Sequence, residues 1–253
     1  LQNALGYTLE ETRHLYGTYS SGMNLYNLPS SMMTALTISV IPTVSASLAR
    51  NDRVHTSRVI NSSLRVTGLM AFPMGLGLWA LAEPIMKLCY PRYDSELGGS
   101  LLAVLGIASM FVCLMLISNS ILQSYGRVHV PVFTMLIGGV VKIIFNYNLT
   151  AVPSINIHAA PFGTLVCFVI VSSLNLFFVY RTMEDKPNYF KVFAKPLIAS
   201  LVMALCAKLS YRFFAAHIAL GGATMTQLVN VGLAVVLAVI VYVALVLALR
   251  IVT

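Results

Sequence analysis

The fold is decided by residues 18–48, which read TYSSGMNLYNLPSSMMTALTISVIPTVSASL. The stretch is long enough to cross about 30 Å of hydrocarbon as a helix, which takes roughly 20 apolar residues. Polar side chains recur in it at steps of three or four, so they share one helical face. Pro29 and Pro42 are expected to interrupt this helix. The members of the polar face are Ser20, Asn24, Asn27, Ser31, Thr34 and Thr37.

A polar face on a membrane-spanning helix must avoid lipid, because hydrocarbon cannot solvate amides and hydroxyls. Two explanations fit equally well. The face lines a water-filled transport pathway, or it supplies the Ser, Thr and Asn contacts that hold a helix bundle together. We predict that Asn24, Asn27, Ser31 and Thr34 line a substrate cavity, with helix packing as the alternative.

The composition places the whole chain in a membrane. Hydrophobic residues make up 58% of the 253 residues and charged residues only 9%, whereas soluble domains carry about 25% charged residues. Each apolar run is about twice as long as a β-barrel strand, so the sequence predicts an all-α membrane protein of about seven spans. The predicted spans are 19–48, 64–88, 99–123, 130–152, 158–180, 193–215 and 225–251.

The net charge of +8 indicates topology rather than nucleic-acid binding. Lysine and arginine concentrate in alternate loops, and such residues mark the cytoplasmic side of membrane proteins. We therefore predict that loops 50–63 and 181–195 are cytoplasmic, that loop 83–98 is external, and that no nucleic acid is bound. The expected location is the bacterial cytoplasmic membrane, with lipids as partners.

The spans contain few residues with ionisable or metal-binding side chains. The four cysteines and five histidines show no metal-ligand spacing, so we predict no metal site, no resident cofactor and no enzymatic activity. The eight carboxylates all lie outside the span centres. Lys142 is the exception among the cations, because it lies near the middle of a span, with Asn146 one turn further on the same face. An intramembrane ionisable residue is a candidate functional residue.

Three stretches together resemble one family. Residues 15–52 read LYGTYSSGMNLYNLPSSMMTALTISVIPTVSASLARND, residues 121–131 read ILQSYGRVHVP, and residues 141–164 read VKIIFNYNLTAVPSINIHAAPFGT. They resemble the carboxy-terminal part of the stage V sporulation protein B group of polysaccharide exporters. That group lies in the multidrug/oligosaccharidyl-lipid/polysaccharide flippase superfamily, alongside the lipid II flippase.

The resemblance implies an architecture. Members have two six-helix lobes that form a V around a central cavity, often with two added helices. Residues 1–182 would supply five helices of the second lobe, and residues 183–253 would supply a cytoplasmic connection and the added pair. The chain would then be continuous with a missing amino-terminal lobe.

The resemblance also implies site residues. The lipid II flippase lines its cavity with arginines, one of which aligns with Asn24, so that cation is absent from this sequence. Lys142 could replace it as a positive charge for a diphosphate. The flippase sodium site takes oxygen ligands from helices that match those of Asn146 and Thr164, which makes these two the predicted ion-binding residues.

The predicted function is a flippase or exporter that moves a lipid-linked oligosaccharide or cell-wall precursor by alternating access. Coupling to sodium or to protons stays open. A drug/cation antiporter of the same superfamily is the alternative, which the absence of a carboxylate from the span centres disfavours. A seven-helix receptor-type protein is a further alternative.

Overall fold

The computed structural model describes residues 8–150, 152, 156–218 and 222–250. These residues form eight α-helices and one short 3₁₀ turn, with no β-strand among them. The helices are α1 Leu9–Ala49, α2 Arg53–Ala80, α3 Ala82–Cys89, α4 Ser95–Ser124, α5 His129–Thr150, α6 Ala159–Thr182, α7 Tyr189–His217 and α8 Ala223–Ala248, and the turn is Asn156–His158.

Six helices are long and apolar enough to cross a membrane, or seven if α2 and α3 count as one bent span. The predicted all-α membrane fold is therefore confirmed. The predicted spans agree with the helices, although most helices extend beyond them. Residue 151 of the predicted span 130–152 and residue 251 of the span 225–251 lie outside the described residues.

The first helix is longer and less interrupted than predicted. It runs unbroken through Pro29 and Pro42, so the expected interruption is wrong. Each proline removes one backbone donor, and packing against neighbouring helices sustains the rest of such a helix in a membrane. At its start, Thr8 and Glu11 form a reciprocal capping box. The Thr8 N–H donates to the Glu11 carboxylate over 2.9 Å and thereby lowers the pKa of that carboxyl.

The predicted span 64–88 is divided between two helices. α2 ends at Ala80, and the chain turns by 75° into the short helix α3. Pro84 gives the physical reason, because the ring of a proline clashes with the carbonyl of the residue four positions earlier, here Ala80. The predicted loop 181–195 is also shorter than expected, since α7 already begins at Tyr189. The predicted division of the chain at residues 182 and 183 stays a prediction.

α4 is the centre of the bundle. It packs against α1, α2, α3 and α6, while α5 packs mainly on α6, α7 on α2, and α8 on α7. Glycines allow the backbones of α4 and α2 to approach each other closely. A Cβ placed on Gly106 of α4 would lie 2.9 Å from both the Gly75 carbonyl oxygen and the Trp79 nitrogen of α2. At such crossings small residues let two backbones approach closely, which drives helix association in lipid.

Candidate functional site

The polar stripe of α1, defined as Asn24, Asn27, Ser31 and Thr34, is exposed along its whole length. Apolar residues of the same helix are buried against the bundle, among them Tyr26, Met33, Val40 and Val44. α1 therefore turns its apolar side to α4 and its polar stripe away from the described helices. The stripe does not hold these helices together.

Hydrogen bonds of the polar stripe stay almost entirely within α1. Ser31 Oγ donates to the Asn27 carbonyl over 2.7 Å, and Thr34 Oγ1 donates to the Ser30 carbonyl over 2.9 Å. The Asn24 amide alone reaches outside the helix, with 3.4 Å between its Nδ2 and the hydroxyl of Tyr90. The Asn27 side chain makes no hydrogen bond to a described residue, so one whole amide remains available to water or a ligand.

An aromatic cluster closes one end of the polar stripe, and sequence reasoning missed it. The rings of Tyr90 and Tyr93 lie 6.4 Å apart, and Tyr93 lies 5.8 Å from the His14 ring. Gly17 makes this contact possible, because a Cβ there would lie 2.8 Å from the Tyr93 ring. Nothing in the local sequence after α3 shows that its tyrosines meet α1, since the 75° bend brings them there.

Lys142 and Asn146 lie on the face of α5 that packs against α6. Gly138, one turn before Lys142, packs against Val171 and Cys167 of α6. Lys142 is half-buried and makes no hydrogen bond to a described residue. The Lys142 side chain therefore lies on the α6 side of α5, and its donors are available to an anion.

Asn146 carries an unpaired oxygen. Its Oδ1 is fully shielded from solvent without a hydrogen-bond partner among the described residues, and it packs against Gly163 of α6, where a Cβ would lie 2.1 Å from it. A buried amide oxygen without a donor costs about 1–3 kcal/mol, and it is a ligand that a hard cation accepts.

Thr164 is buried but turns elsewhere. Its hydroxyl donates to the Ala160 carbonyl over 3.0 Å and lies beside the Tyr19 hydroxyl of α1. The structure therefore places Asn146 against the residue next to Thr164, without showing their two side chains together. The predicted ion-binding role of the pair stays a prediction.

A hydrogen-bonded chain of three helices is a second feature that the sequence reasoning missed. Asn175 of α6 accepts from Thr134 Oγ1 of α5 over 2.7 Å and donates to Asn119 Oδ1 of α4 over 2.6 Å. Asn175 is completely buried. An asparagine within the apolar run of α6 was the available signal, because an amide in a span is expensive without partners.

An apolar groove lies beside the polar stripe. It has a volume of about 480 Å³ and is bounded by α1, α2, α7 and α8. Leu28, Pro29 and Met32 of α1 form one wall, so the groove and the stripe are adjacent faces of one helix. A polar surface and an apolar groove thus lie within about a turn of each other along the membrane-spanning part of α1.

The chain is similar in sequence to membrane and transport proteins of bacteria. The chain is 22% identical over 183 residues to the lipid II flippase MurJ of Bacillus subtilis (strain 168). This match covers 71% of this chain and 32% of that protein. It is 26% identical over 216 residues to the succinoglycan biosynthesis transport protein ExoT of Rhizobium meliloti (strain 1021), covering 80% and 40%. The membrane protein YabM of Bacillus subtilis (strain 168) is 26% identical over 172 residues, covering 68% and 31%.

The fold has a solved counterpart. The structure of lipid II flippase MurJ in its inward closed conformation superposes with a TM-score of 0.70 at 18% identity, over 93% of this chain and 47% of that one. The chain spans between about a third and two fifths of the length of the curated relatives. Together with the six to seven apolar helices, these relatives identify a multi-pass bacterial membrane protein.

A family model decides the relationship, as the sequence resemblance predicted. The model of the MatE family matches residues 16–148, more than half of the chain, from within α1 to the last turn of α5. This chain belongs to the MatE family.

Proposed function

We propose that this chain forms part of a flippase or exporter that carries a lipid-linked saccharide across the membrane by alternating access. The observation that carries the proposal is the exposed polar stripe of α1. The Ser31 and Thr34 hydroxyls are satisfied within α1, but the exposed Asn27 amide makes no hydrogen bond to a described residue. Because an unsatisfied amide in hydrocarbon costs several kcal/mol, this part of the stripe must face water, a ligand or further protein. A central cavity supplies such surroundings.

The apolar groove supports a lipid-linked substrate over a soluble one. A polyprenyl-type carrier needs a lateral apolar surface next to the polar surface that takes its headgroup. The groove between α1, α2, α7 and α8 holds about 480 Å³ and is lined almost wholly by apolar side chains. MurJ is named for lipid II, and ExoT for succinoglycan biosynthesis; saccharide chemistry of that kind is what we propose for this chain, with the particular saccharide left open.

Lys142 is proposed to attract the phosphate of the substrate. It is half-buried on the face of α5 that packs against α6. The ammonium provides three donors for phosphate oxygens.

Asn146 is proposed as a neutral oxygen ligand for the coupling cation. Its shielded Oδ1 without a hydrogen-bond partner supports this role. Thr164 Oγ1 donates to the Ala160 carbonyl and keeps two lone pairs, so we propose it as a second oxygen ligand. A drug/cation antiporter is the weaker proposal, because the carboxylates of the chain lie outside the span centres. A receptor-type function has no support from the MatE match.

The test replaces Lys142 in the full-length protein with Gln or Arg and measures complementation or lipid flipping at matched expression. The proposal requires that Lys142→Gln abolish transport while Lys142→Arg retains part of it. Lys208→Gln is the control, since Lys208 is exposed on α7 and lies over the Trp79 ring at 5.4 Å. Normal transport by Lys142→Gln, or equal loss in the control, would contradict the substrate contact.

A further inference from the structure

The apolar groove contains one backbone carbonyl that its own helix leaves free. Pro73 lies inside α2, and a proline has no N–H to donate to the carbonyl four residues earlier, here that of Leu69. Leu69 and Pro73 both line the groove. A free carbonyl that faces hydrocarbon is costly, because no water is present to donate to it. The groove therefore needs a hydrogen-bond donor at this position.

Tyr242 of α8 supplies that donor. Its hydroxyl donates to the Leu69 carbonyl over 2.7 Å, which is the usual length of an O–H···O hydrogen bond. α8 packs mainly on α7, and α7 packs on α2, so this hydrogen bond joins two helices across the groove. Tyr242 is half-buried and lines the groove together with Val239. The hydroxyl of Tyr242 thus fixes the position of its ring against α2.

The contact between Tyr242 and Leu69 lies at one end of the groove. The lining residues of α2 run from Leu69 to Leu81, where Ile85 of α3 joins them, and this part of α2 is about 18 Å long at about 1.5 Å per residue. Among the described residues, the lining includes none before Leu69 in α2 and none after Tyr242 in α8. The hydrocarbon core is about 30 Å thick, so the groove extends from α3 only part of the way across it.

Aromatic rings fill the space beyond that end. Phe193 of α7 lies so close to α2 that a Cβ on Gly68 would be 3.1 Å from its ring. The same ring meets Phe72 edge-on, with 5.8 Å between the ring centroids. Tyr242 and Phe193 both pack against the buried apolar cluster that contains Phe72. Because Leu69 directly follows Gly68, the Tyr242 ring stands where the groove would otherwise continue towards Phe193.

We propose that Tyr242 is a specificity-determining residue, which closes the groove and sets how far the isoprenoid chain of a lipid-linked substrate enters it. The inference rests on the proposed function, because it takes the carrier chain to be the occupant of the groove. Such a chain gains free energy wherever apolar surface is covered, and the groove offers that surface from α3 to Tyr242. Beyond Tyr242, the chain would have to displace the ring and leave the Leu69 carbonyl without its donor, which is costly in hydrocarbon.

Photocrosslinking to the purified full-length protein in lipid nanodiscs tests the inference. The probes are isoprenyl phosphates of increasing chain length, each with a diazirine at the terminal carbon, and mass spectrometry locates the labelled residues. In the unchanged protein, the label should advance from Leu81 to Leu69 as the chain lengthens, and it should not reach Phe193. Tyr242→Ala should raise the share of label on Phe193 several-fold. Tyr242→Phe keeps the ring but loses its anchor, so its share should lie between the two.

Val235→Ala is the matched control, because Val235 lines the groove on the same helix two turns away from Tyr242. Its label should stop at Leu69, as in the unchanged protein. A purely structural role of Tyr242 predicts a lower total label in Tyr242→Ala without a shift of its boundary. That result would overturn the inference, as would an equal shift in Val235→Ala.

Two further outcomes would count against the closure. If Tyr242→Phe labels Phe193 no more than the unchanged protein does, the hydroxyl does not anchor the ring and the inference is wrong. If no probe labels the groove of the unchanged protein, the inference fails together with the assignment of the groove to the carrier chain. Transport itself is tested separately by the Lys142 variants, so the two failures can be distinguished.

Discussion

α4 and α1 carry the same kinds of hydroxyl side chain in opposite surroundings. Ser118 of α4 donates to the Leu114 carbonyl over 2.7 Å, and Ser31 of α1 donates to the Asn27 carbonyl over the same distance. Ser118 is completely buried, whereas Ser31 is exposed. In the most apolar 18-residue stretch of α4, two thirds of the residues are buried, whereas 28% are buried in the corresponding stretch of α1.

The difference shows that a serine or threonine in a span does not by itself indicate its environment. A hydroxyl can return its hydrogen bond to its own helix and then tolerate either packing or solvent. The two helices differ in how closely the backbones of neighbouring helices can approach them. α4 has glycines where α2 and α3 approach, at Gly106 and Gly99, while the polar stripe of α1 has amides instead.

The largest effect should come from filling the close crossing of α4 and α2. Gly106→Leu places side-chain atoms where the Gly75 carbonyl oxygen and the Trp79 nitrogen already lie 2.9 Å from a Cβ. Overpacking costs about 1–3 kcal/mol, and more where backbone must move, so we expect at least about 3 kcal/mol. Thermal unfolding of the purified protein in detergent measures it.

Gly139→Leu is the matched control for this crossing. A Cβ at Gly139 of α5 meets nothing within 4 Å, and leucine has a better helix propensity than glycine by somewhat less than about 1 kcal/mol. This variant should melt at or slightly above the temperature of the unchanged protein. Equal melting temperatures of the two leucine variants would contradict the central role of α4.

A smaller loss is expected where polar residues do hold helices together. Asn175→Ala removes both hydrogen bonds of the chain Thr134–Asn175–Asn119. Hydrogen bonds between membrane helices are worth about 0.6 kcal/mol on average and up to about 1.7. We therefore expect a loss of about 1–2 kcal/mol in the free energy of unfolding, measured by denaturant titration in detergent.

Asn148→Ala provides the comparison for Asn175. Asn148 is exposed on α5, and among the described residues its side chain bonds only to the carbonyl of Ile144 in the same helix, over 2.8 Å. Its loss should change stability by less than about 0.5 kcal/mol. If both alanine variants lose the same amount, the three-helix hydrogen-bonded chain contributes nothing specific.

Single cysteine substitutions should have the smallest effect on stability. They should also differ most in their accessibility to a water-soluble reagent. With the four native cysteines replaced, Ser31→Cys and Thr34→Cys should react with a membrane-impermeant maleimide that enters a water-filled cavity, at a stability cost below about 0.5 kcal/mol. Ser109→Cys and Ser118→Cys should not react, because both positions are completely buried. Labelling is quantified by mass shift on the full-length protein.

Lipid exposure of the polar stripe would give a different pattern. Cysteines at 31 and 34 would then resist the water-soluble reagent and react with a lipid-soluble maleimide. That result would remove the main support for the proposed transport pathway, while leaving the packing of α4 intact.

The sequence by itself determined the membrane class, the approximate spans and the family. These depend on local quantities, namely the length of apolar runs and the spacing of motifs such as those around Asn24 and Lys142. It also marked Lys142 and Asn146 as a shared helical face, because helical periodicity is local. The bend at Leu81 was within reach too, since Pro84 carries its physical cause.

The tertiary structure alone decided which polar residues are covered. Burial depends on which backbones approach each other, and the approach of α4 to α2 results from glycines 31 positions apart in the chain, Gly75 and Gly106. In the same way, only folding brought Tyr90 to Asn24 and the Lys195 side chain to the Leu249 carbonyl. Contacts between distant segments depend on how complete helices pack, so they cannot be predicted from a local sequence pattern.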